Sequence, residues 1–171
     1  MRVESGNCGL RFSERSFPMR AMIQLAGLVI LALSFFLPAQ AQTGASLSER
    51  QLFLSVNRAR QAQGLPTLKW DDALAMAARR HAGMMAQHGA AEHVFPGEPS
   101  LPSRATKAGA HFVSISENVA MGSDGGLIEA EFLKSPNHRA NILDTDIDSI
   151  GVGVVLRAGQ LFAVEDFSKA K

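Results

Sequence analysis

The stretch IGVGVVLRAGQLFAVEDF, residues 150–167, determines the fold class of this chain. Apolar residues at every second position from Ile150 to Leu156 alternate with glycine and valine, which is the period of two expected of a β-strand. The turn-forming run at 157–160 separates this segment from a second extended run at 161–167. The pattern therefore predicts an antiparallel β-hairpin.

Upstream of the hairpin the apolar spacing changes to that of helices. Residues 48–63 predict a helix in which Ser48 and Gln51 have the spacing of a capping box. A second helix follows, with Asp71 or Asp72 as its N-cap and Gly89 as its end.

The segment after the second helix is rich in glycine and proline, so we expect loops over 90–110. Residues 116–121 predict a short extended or helical segment, and residues 127–134 predict a third helix. Ser135-Pro136 then has the form of a new helix start. Helices followed by a hairpin indicate an α+β fold and not a doubly wound parallel sheet.

The N-terminal part of the chain has the layout of an export signal. An apolar run at 25–37 follows Arg20 and precedes an Ala-x-Ala site that ends at Ala41. A membrane-spanning helix needs about 20 apolar residues, which is longer than this run. We therefore predict a cleaved signal peptide at 19–41, a non-native extension at 1–18, and a single domain at 42–171 that is secreted or periplasmic and keeps no stable membrane span.

The predicted domain 42–171 carries 13 basic and 14 acidic residues and is nearly neutral, which argues against a nucleic-acid partner. The one cysteine, Cys8, lies upstream of the apolar run, so the domain has no disulfide and depends on packing. We expect it to be a monomer.

The residue types available for chemistry in this domain are histidines, carboxylates and serines. The sequence contains no Gly-x-Ser-x-Gly elbow, no His-Glu-x-x-His pair, no P-loop and no Gly-x-Gly-x-x-Gly. His81 and His88 share a face of the second predicted helix with Leu74. That spacing fits a histidine ladder or, as we favour, partly buried packing.

A set of short motifs occurs in a characteristic order between residues 49 and 167. The motifs are Asn57-Arg58, Gly64-Leu65-Pro66-x-Leu68-x-Trp70-Asp71, Ala78 with His81-Ala82, His93, Arg104 with Gly109, Glu117-Asn118-Val119-Ala120, SPNHRANIL at 135–143, Ile150-Gly151-Val152-Gly153 and Glu165-Asp166-Phe167. In this order they closely resemble the bacterial branch of the CAP (SCP-like) superfamily, whose other members include cysteine-rich secretory and pathogenesis-related proteins. The resemblance implies a three-layer α-β-α sandwich that contains the C-terminal hairpin.

The resemblance also implies a surface cleft lined by two histidines and one or two glutamates, which some members use to hold a divalent metal. Motif matching places His93, Glu117 and His138 in that cleft, and His93 and His138 are the implied metal ligands. Ser135 stands where the family has its second glutamate, and Glu131 or Glu129 would replace that glutamate if the helix were rotated. Two smaller departures are Ser116, where the family prefers Gly, and Glu165, where Gln is common.

Two histidines and a glutamate could form either of two kinds of chemical site. Two neutral imidazoles and a carboxylate would form an acceptable zinc site with an open position for water, whereas without metal they would form only an acid–base pair. Since the second glutamate is missing, we expect a binding module for an apolar (lipid) or peptidic ligand, and not an enzyme. The alternative is a metal-dependent hydrolase of peptide or cell-envelope substrates that uses His93, Glu117 and His138, and a third reading is a structural role.

Overall fold

The computed structural model describes residues 45–171, so the predicted segments 1–18 and 19–41 lie outside the described residues. In chain order the described elements are α1 (Leu47–Ala62), β1 (Lys69–Trp70), α2 (Asp72–His88), α3 (Leu101–Ala108), β2 (Phe112–Gly122), α4 (Gly125–Lys134), α5 (Pro136–Ile142), β3 (Ser149–Arg157) and β4 (Gln160–Ala170). No helix within residues 45–171 is long and apolar enough to cross a bilayer.

The four strands form one sheet in the order β1-β3-β4-β2. β3 and β4 are the predicted hairpin, and their register runs from Arg157 opposite Gln160 to Ser149 opposite Ser168. Strand β4 also pairs antiparallel with β2, whereas β1 pairs parallel with β3. Consequently β4 is a central strand and β2 is an edge strand.

Helices cover both faces of the sheet, which gives the predicted three layers. On one face the core contains Phe132 from α4, Ile142 from α5, and Leu52 and Val56 from α1. On the other face α2 packs against residues of β2 and β4, such as Val119 and Val164. The α+β prediction is confirmed.

Helix α2 packs very closely on β3, and two glycines make this possible. A Cβ added to Gly151 would lie 2.1 Å from the backbone nitrogen of Ala75, and one added to Gly153 would lie 2.2 Å from that of Arg79. The glycines that interrupt the apolar alternation in the sequence are therefore the places where the helix backbone meets the strand.

Two predictions about helices were wrong in detail. The first helix is capped by Ser46, with Glu49 completing the capping box, two residues before the predicted pair Ser48 and Gln51. Glu49 is buried and also receives two hydrogen bonds from Arg79, so tertiary contacts select the earlier cap. Within the expected loop 90–110, the segment Leu101–Ala108 is helical, and Pro102 is tolerated in its first turn.

Arg60 of α1 fixes the end of α5, the helix that contains His138. Arg60 is 1% exposed, and its guanidinium donates to the carbonyls of Ile142 and Asp144, both at 2.8 Å. These bonds satisfy carbonyls that the end of the short helix leaves free. The position of α5 over the sheet therefore depends on a residue about eighty positions earlier in the chain.

Candidate functional site

The structure brings together His93 and Glu117, two of the predicted site residues. His93 lies in the loop after α2, and its Nδ1 is 2.8 Å from Oε2 of Glu117 in β2. The histidine side chain is 62% exposed, whereas that of the glutamate is 2% exposed. A buried carboxylate thus orients an exposed imidazole, whose Nε2 is turned away from the contact.

The second oxygen of Glu117 is also engaged. Arg104 of α3 donates a short hydrogen bond from its guanidinium to Glu117 Oε1. Both side chains are almost fully buried, so each supplies the countercharge that the other needs. The same guanidinium donates to the carbonyl of His93 at 3.1 Å and therefore holds the loop as well as the carboxylate.

His81 anchors the loop that presents His93. This histidine of α2 is fully buried, its Nδ1 lies 2.7 Å from Glu98 Oε1, and its Nε2 lies 2.8 Å from the carbonyl of Glu92. Because a carbonyl only accepts, Nε2 carries a hydrogen. His88 instead stacks on Phe95 with ring centroids 4.3 Å apart. The two histidines therefore pack against the loop and do not form a ladder.

His138 reaches the same region from the opposite helical layer. Its ring packs edge-on against Phe132, with centroids 5.0 Å apart. Partial burial, together with the neighbouring His93, lowers the pKa of His138, so its neutral form is favoured. The cleft thus lies at the free edge of β2, where the two helical layers meet.

Two asparagines join β2 to α5 at this edge. Asn141 Nδ2 donates to Asn118 Oδ1 at 2.9 Å and to the backbone carbonyl of Glu117 at 3.3 Å. In turn, Asn118 Nδ2 donates to the carbonyl of His138 at 3.2 Å. These bonds fix the helix that contains His138 relative to the strand that contains Glu117.

A second carboxyl group lies beneath Glu117. Asp166 of β4 is directly opposite Glu117 in the sheet register and is fully buried. Burial and the Glu117 carboxylate raise the pKa of Asp166 well above its ordinary value, and nearby Arg104 only partly offsets this. Asp166 is therefore favoured as the neutral acid, which leaves Glu117 as the carboxylate that binds Arg104.

On the other face of the sheet, Glu129 and Glu165 form a buried carboxyl pair. Glu129 of α4 is 5% exposed and Glu165 of β4 is 0% exposed. Burial raises the pKa of Glu129 to about 7, and burial with the adjacent Glu129 raises that of Glu165 well above its ordinary value. Asn118 Nδ2 donates to Glu165 at 3.2 Å and links this pair to the cleft residues.

Two other predicted site residues occupy different places. Glu131 points to solvent and pairs with Lys134 at 2.7 Å, with 69% of its side chain exposed, so the structure does not bring it to the cleft. The helix instead turns Glu129 inward, toward Glu165. Ser135 is the N-cap of α5, but its side chain makes no capping hydrogen bond, and among the described residues it contacts neither His93 nor Glu117 through a hydrogen bond.

The cleft is an open cavity of about 460 Å³ whose lining exposes mainly apolar surface between its polar groups. Two of its lining residues, Val94 and Leu101, are apolar, and the others are His93, Ser100, Ser116, Glu117 and Asn141. Sequence patterns missed Glu98, because its contacts join distant positions of an irregular loop. The family motifs contain the other supporting residues, His81, Arg104, Asn141 and Asp166, and this was the available signal for them.

The donors at the cleft do not form a full metal site. Within residues 45–171 no group of three or more histidine, cysteine or acidic side chains converges as metal ligands would. Both oxygens of Glu117 are already bound by His93 and Arg104, which leaves two imidazoles where a zinc site takes three or four protein ligands.

Comparisons with known proteins agree with this architecture. Residues 54–167 match the model of the cysteine-rich secretory protein family, CAP. A Bacillus subtilis (strain 168) protein, the uncharacterized membrane protein YlbC, is 32% identical over 108 residues, which are 63% of this chain and 31% of that protein. The chain therefore spans about a third of that relative.

Two solved structures are also similar. An extracellular protein with an SCP domain from Bacillus anthracis has a TM-score of 0.67 at 29% identity, over 71% of this chain and 40% of the other. An outer surface protein of Borrelia burgdorferi has a TM-score of 0.67 at 24% identity, over 72% of this chain and 93% of the other, which supports the shared fold alone.

Proposed function

Since this chain belongs to the CAP family of cysteine-rich secretory proteins, we propose that it is an exported binding module whose cleft holds a peptidic ligand. Export is supported by the signal-like segment 19–41 and by the extracellular description of the Bacillus anthracis relative. The proposal favours a peptide over the apolar lipid that the resemblance also allowed.

The observation that carries the proposal is the full engagement of Glu117. Its carboxylate is held by His93 on one oxygen and by Arg104 on the other, so it is neither a free base nor a free metal ligand. What the carboxylate does is hold the exposed His93 ring in one orientation. A fixed imidazole is suited to recognition, because its Nε2 can exchange a hydrogen bond with a ligand at little further cost in ordering entropy.

The lining of the cleft favours a peptide over a lipid. Lipid sites are enclosed, whereas this cavity is open, and hydroxyl, amide and imidazole groups lie beside the apolar surface that its lining exposes. Ser100, Ser116 and Asn141 can satisfy amide groups of a bound chain, while Val94 and Leu101 can cover a small apolar side chain. An acyl chain would leave these polar groups without partners.

The test is a titration of the ¹⁵N-labelled purified protein, followed by NMR, with a tryptic digest of casein in one series and palmitate in another. We expect the casein peptides to shift the signals of Ser116 and Asn141, and we expect His93→Ala to remove the response. The matched control is His111→Ala, which removes an exposed histidine outside the cleft lining.

Two results would contradict the peptide assignment. Shifts caused by palmitate and not by peptides would assign the cleft to lipids. Stoichiometric zinc binding in calorimetry, lost in His93→Ala and accompanied by zinc-dependent cleavage of the casein peptides, would favour the metal-dependent hydrolase.

A further inference from the structure

Among the described residues 45–171, strand β2 pairs along one edge only, and the register fixes the direction of its backbone groups. In the β1–β3 pair, the amide of Asp71 donates to the carbonyl of Ile150, so Ile150 faces β1 and its neighbour Gly151 faces β4. Gly151 is opposite Asp166, which therefore directs its backbone groups toward β3. Glu117, opposite Asp166 on the other side, must then direct its own backbone groups away from β4.

The hydrogen bond from Asn141 to the carbonyl of Glu117 independently agrees with this assignment, because that carbonyl could not be reached if it faced β4. By the same alternation Ile115 also faces the free edge. Within residues 45–171, no hydrogen bond reaches the backbone N–H or C=O of Ile115 or the N–H of Glu117 from outside the sheet. Three strong backbone groups in sequence are thus available at the cleft.

We propose that a ligand peptide binds in extended form as a fifth strand beside Ile115–Glu117, which deepens the proposed function and rests on it. Two donors and one acceptor at strand spacing match the backbone of an extended chain, whatever its side chains. The amide of Asn141 occupies the carbonyl of Glu117, so strand pairing ends there. The paired segment borders the space lined by His93 and Ser116.

The geometry favours a peptide over a second copy of this chain. A register shift between Phe112 and Ser114 makes Val113 an extra residue, 69% exposed, at the other end of the available edge. Bulges of this kind limit edge-to-edge pairing of whole sheets. Between the bulge and Asn141 there is room for only a short strand, which buries far less than the roughly 1,200 Å² that a stable protein–protein interface needs.

The experiment selects ligands from a displayed library of random decapeptides on the purified protein and then tests each selected peptide by backbone N-methylation, one position at a time. We expect N-methylation of the one amide that donates to the Ile115 carbonyl to lower affinity about tenfold or more. N-methylation of the amides on either side should lower it by less than about twofold, because these face away from β2. Ile115→Pro removes the outward N–H and should lower affinity about tenfold. Ile115→Val keeps that N–H and is the matched control.

The outcomes separate this inference from the proposed function. Binding that His93→Ala abolishes, with no position sensitive to N-methylation, would overturn strand addition and leave the peptide cleft in place. A library that yields no peptide binding above background would overturn both. The N-methyl series uses the parent protein, so its result does not depend on the folding of any variant. Ile115→Pro should also fold, because proline is tolerated where an edge-strand N–H faces solvent.

Discussion

Glu117 is the residue through which the cleft and the core are connected. It holds His93 outward and Arg104 inward, and its main chain lies at the free edge of the sheet. The effects of changing it therefore separate into a local effect on His93 and a general effect on stability.

We predict that Glu117→Gln lowers the free energy of unfolding by about 3 kcal/mol, because it leaves the buried Arg104 guanidinium without a full countercharge. Urea denaturation followed by circular dichroism measures this. Glu92→Gln changes an exposed glutamate of the same loop and should have almost no effect. Equal stability of the two variants would mean that the Arg104 pair contributes little to the fold.

A second prediction at this scale concerns His138. The neighbouring His93 is one cause of its lowered pKa, so removing that imidazole in His93→Ala should raise the pKa of His138 toward its ordinary value near 6.5. An NMR titration of the histidine ring protons measures the change. An unchanged midpoint would show that burial alone determines the pKa of His138.

Individual site residues differed in how far sequence could identify them. His93, Glu117 and His138 stand in recognisable motifs, and the first two meet directly. The inward turn of Glu129 instead of Glu131 could not be read from spacing, because it depends on how α4 rotates against the sheet. The partners of His81 are 11 and 17 positions away along an irregular loop, where periodicity carries no information.

At the scale of elements, the contact of α2 with β3 gives a sharp test of packing. We predict that Gly151→Ala destabilises the protein by about 3 kcal/mol or more, because its Cβ would lie 2.1 Å from a backbone nitrogen and one of the two elements must move. Thermal unfolding monitored by circular dichroism measures the loss.

The control for this prediction lies in the same helix. Around Gly83 of α2 a new Cβ would meet nothing within 4 Å, so Gly83→Ala should stabilise the protein by about 0.5–1 kcal/mol through helix propensity. If both substitutions proved neutral, the close approach of α2 to β3 would be wrong.

Regular elements were predicted best where local signals were strong. The hairpin and α2 follow from the period of the apolar residues and from Asp71 and Gly89 as caps. Sequence could not choose between Ser46 and Ser48 for the first cap, because the choice depends on the contact of Glu49 with Arg79, thirty residues away. The short helix α3 was missed because its proline, Pro102, and the prolines and glycines around it are typical of a loop.

For the molecule as a whole, the buried pair Glu129 and Glu165 makes stability depend on pH. A carboxyl whose pKa is raised on folding binds its proton more tightly in the folded state. The stabilisation that protonated Glu129 contributes is therefore lost as pH rises from the unfolded value near 4.5 to about 7. For Glu129 alone the shift corresponds to about 3 kcal/mol.

We therefore predict that Glu129→Gln is more stable than the parent protein at pH 8 and loses much of the decrease between pH 5 and 7. Melting temperatures measured across this range give the comparison. Glu131→Gln, an exposed change two positions along the same helix, should follow the parent curve. Parallel curves for Glu129→Gln and the parent would exclude an ionisable pair at this position.

The place of β4 in the sheet has a consequence for when the molecule can form. β2 and β3 are never neighbours, and each pairs with β4, which comprises residues Gln160–Ala170. A nascent chain therefore holds two strands with no shared partner until synthesis has passed these residues. The four-stranded sheet can therefore be completed only after translation of this last strand.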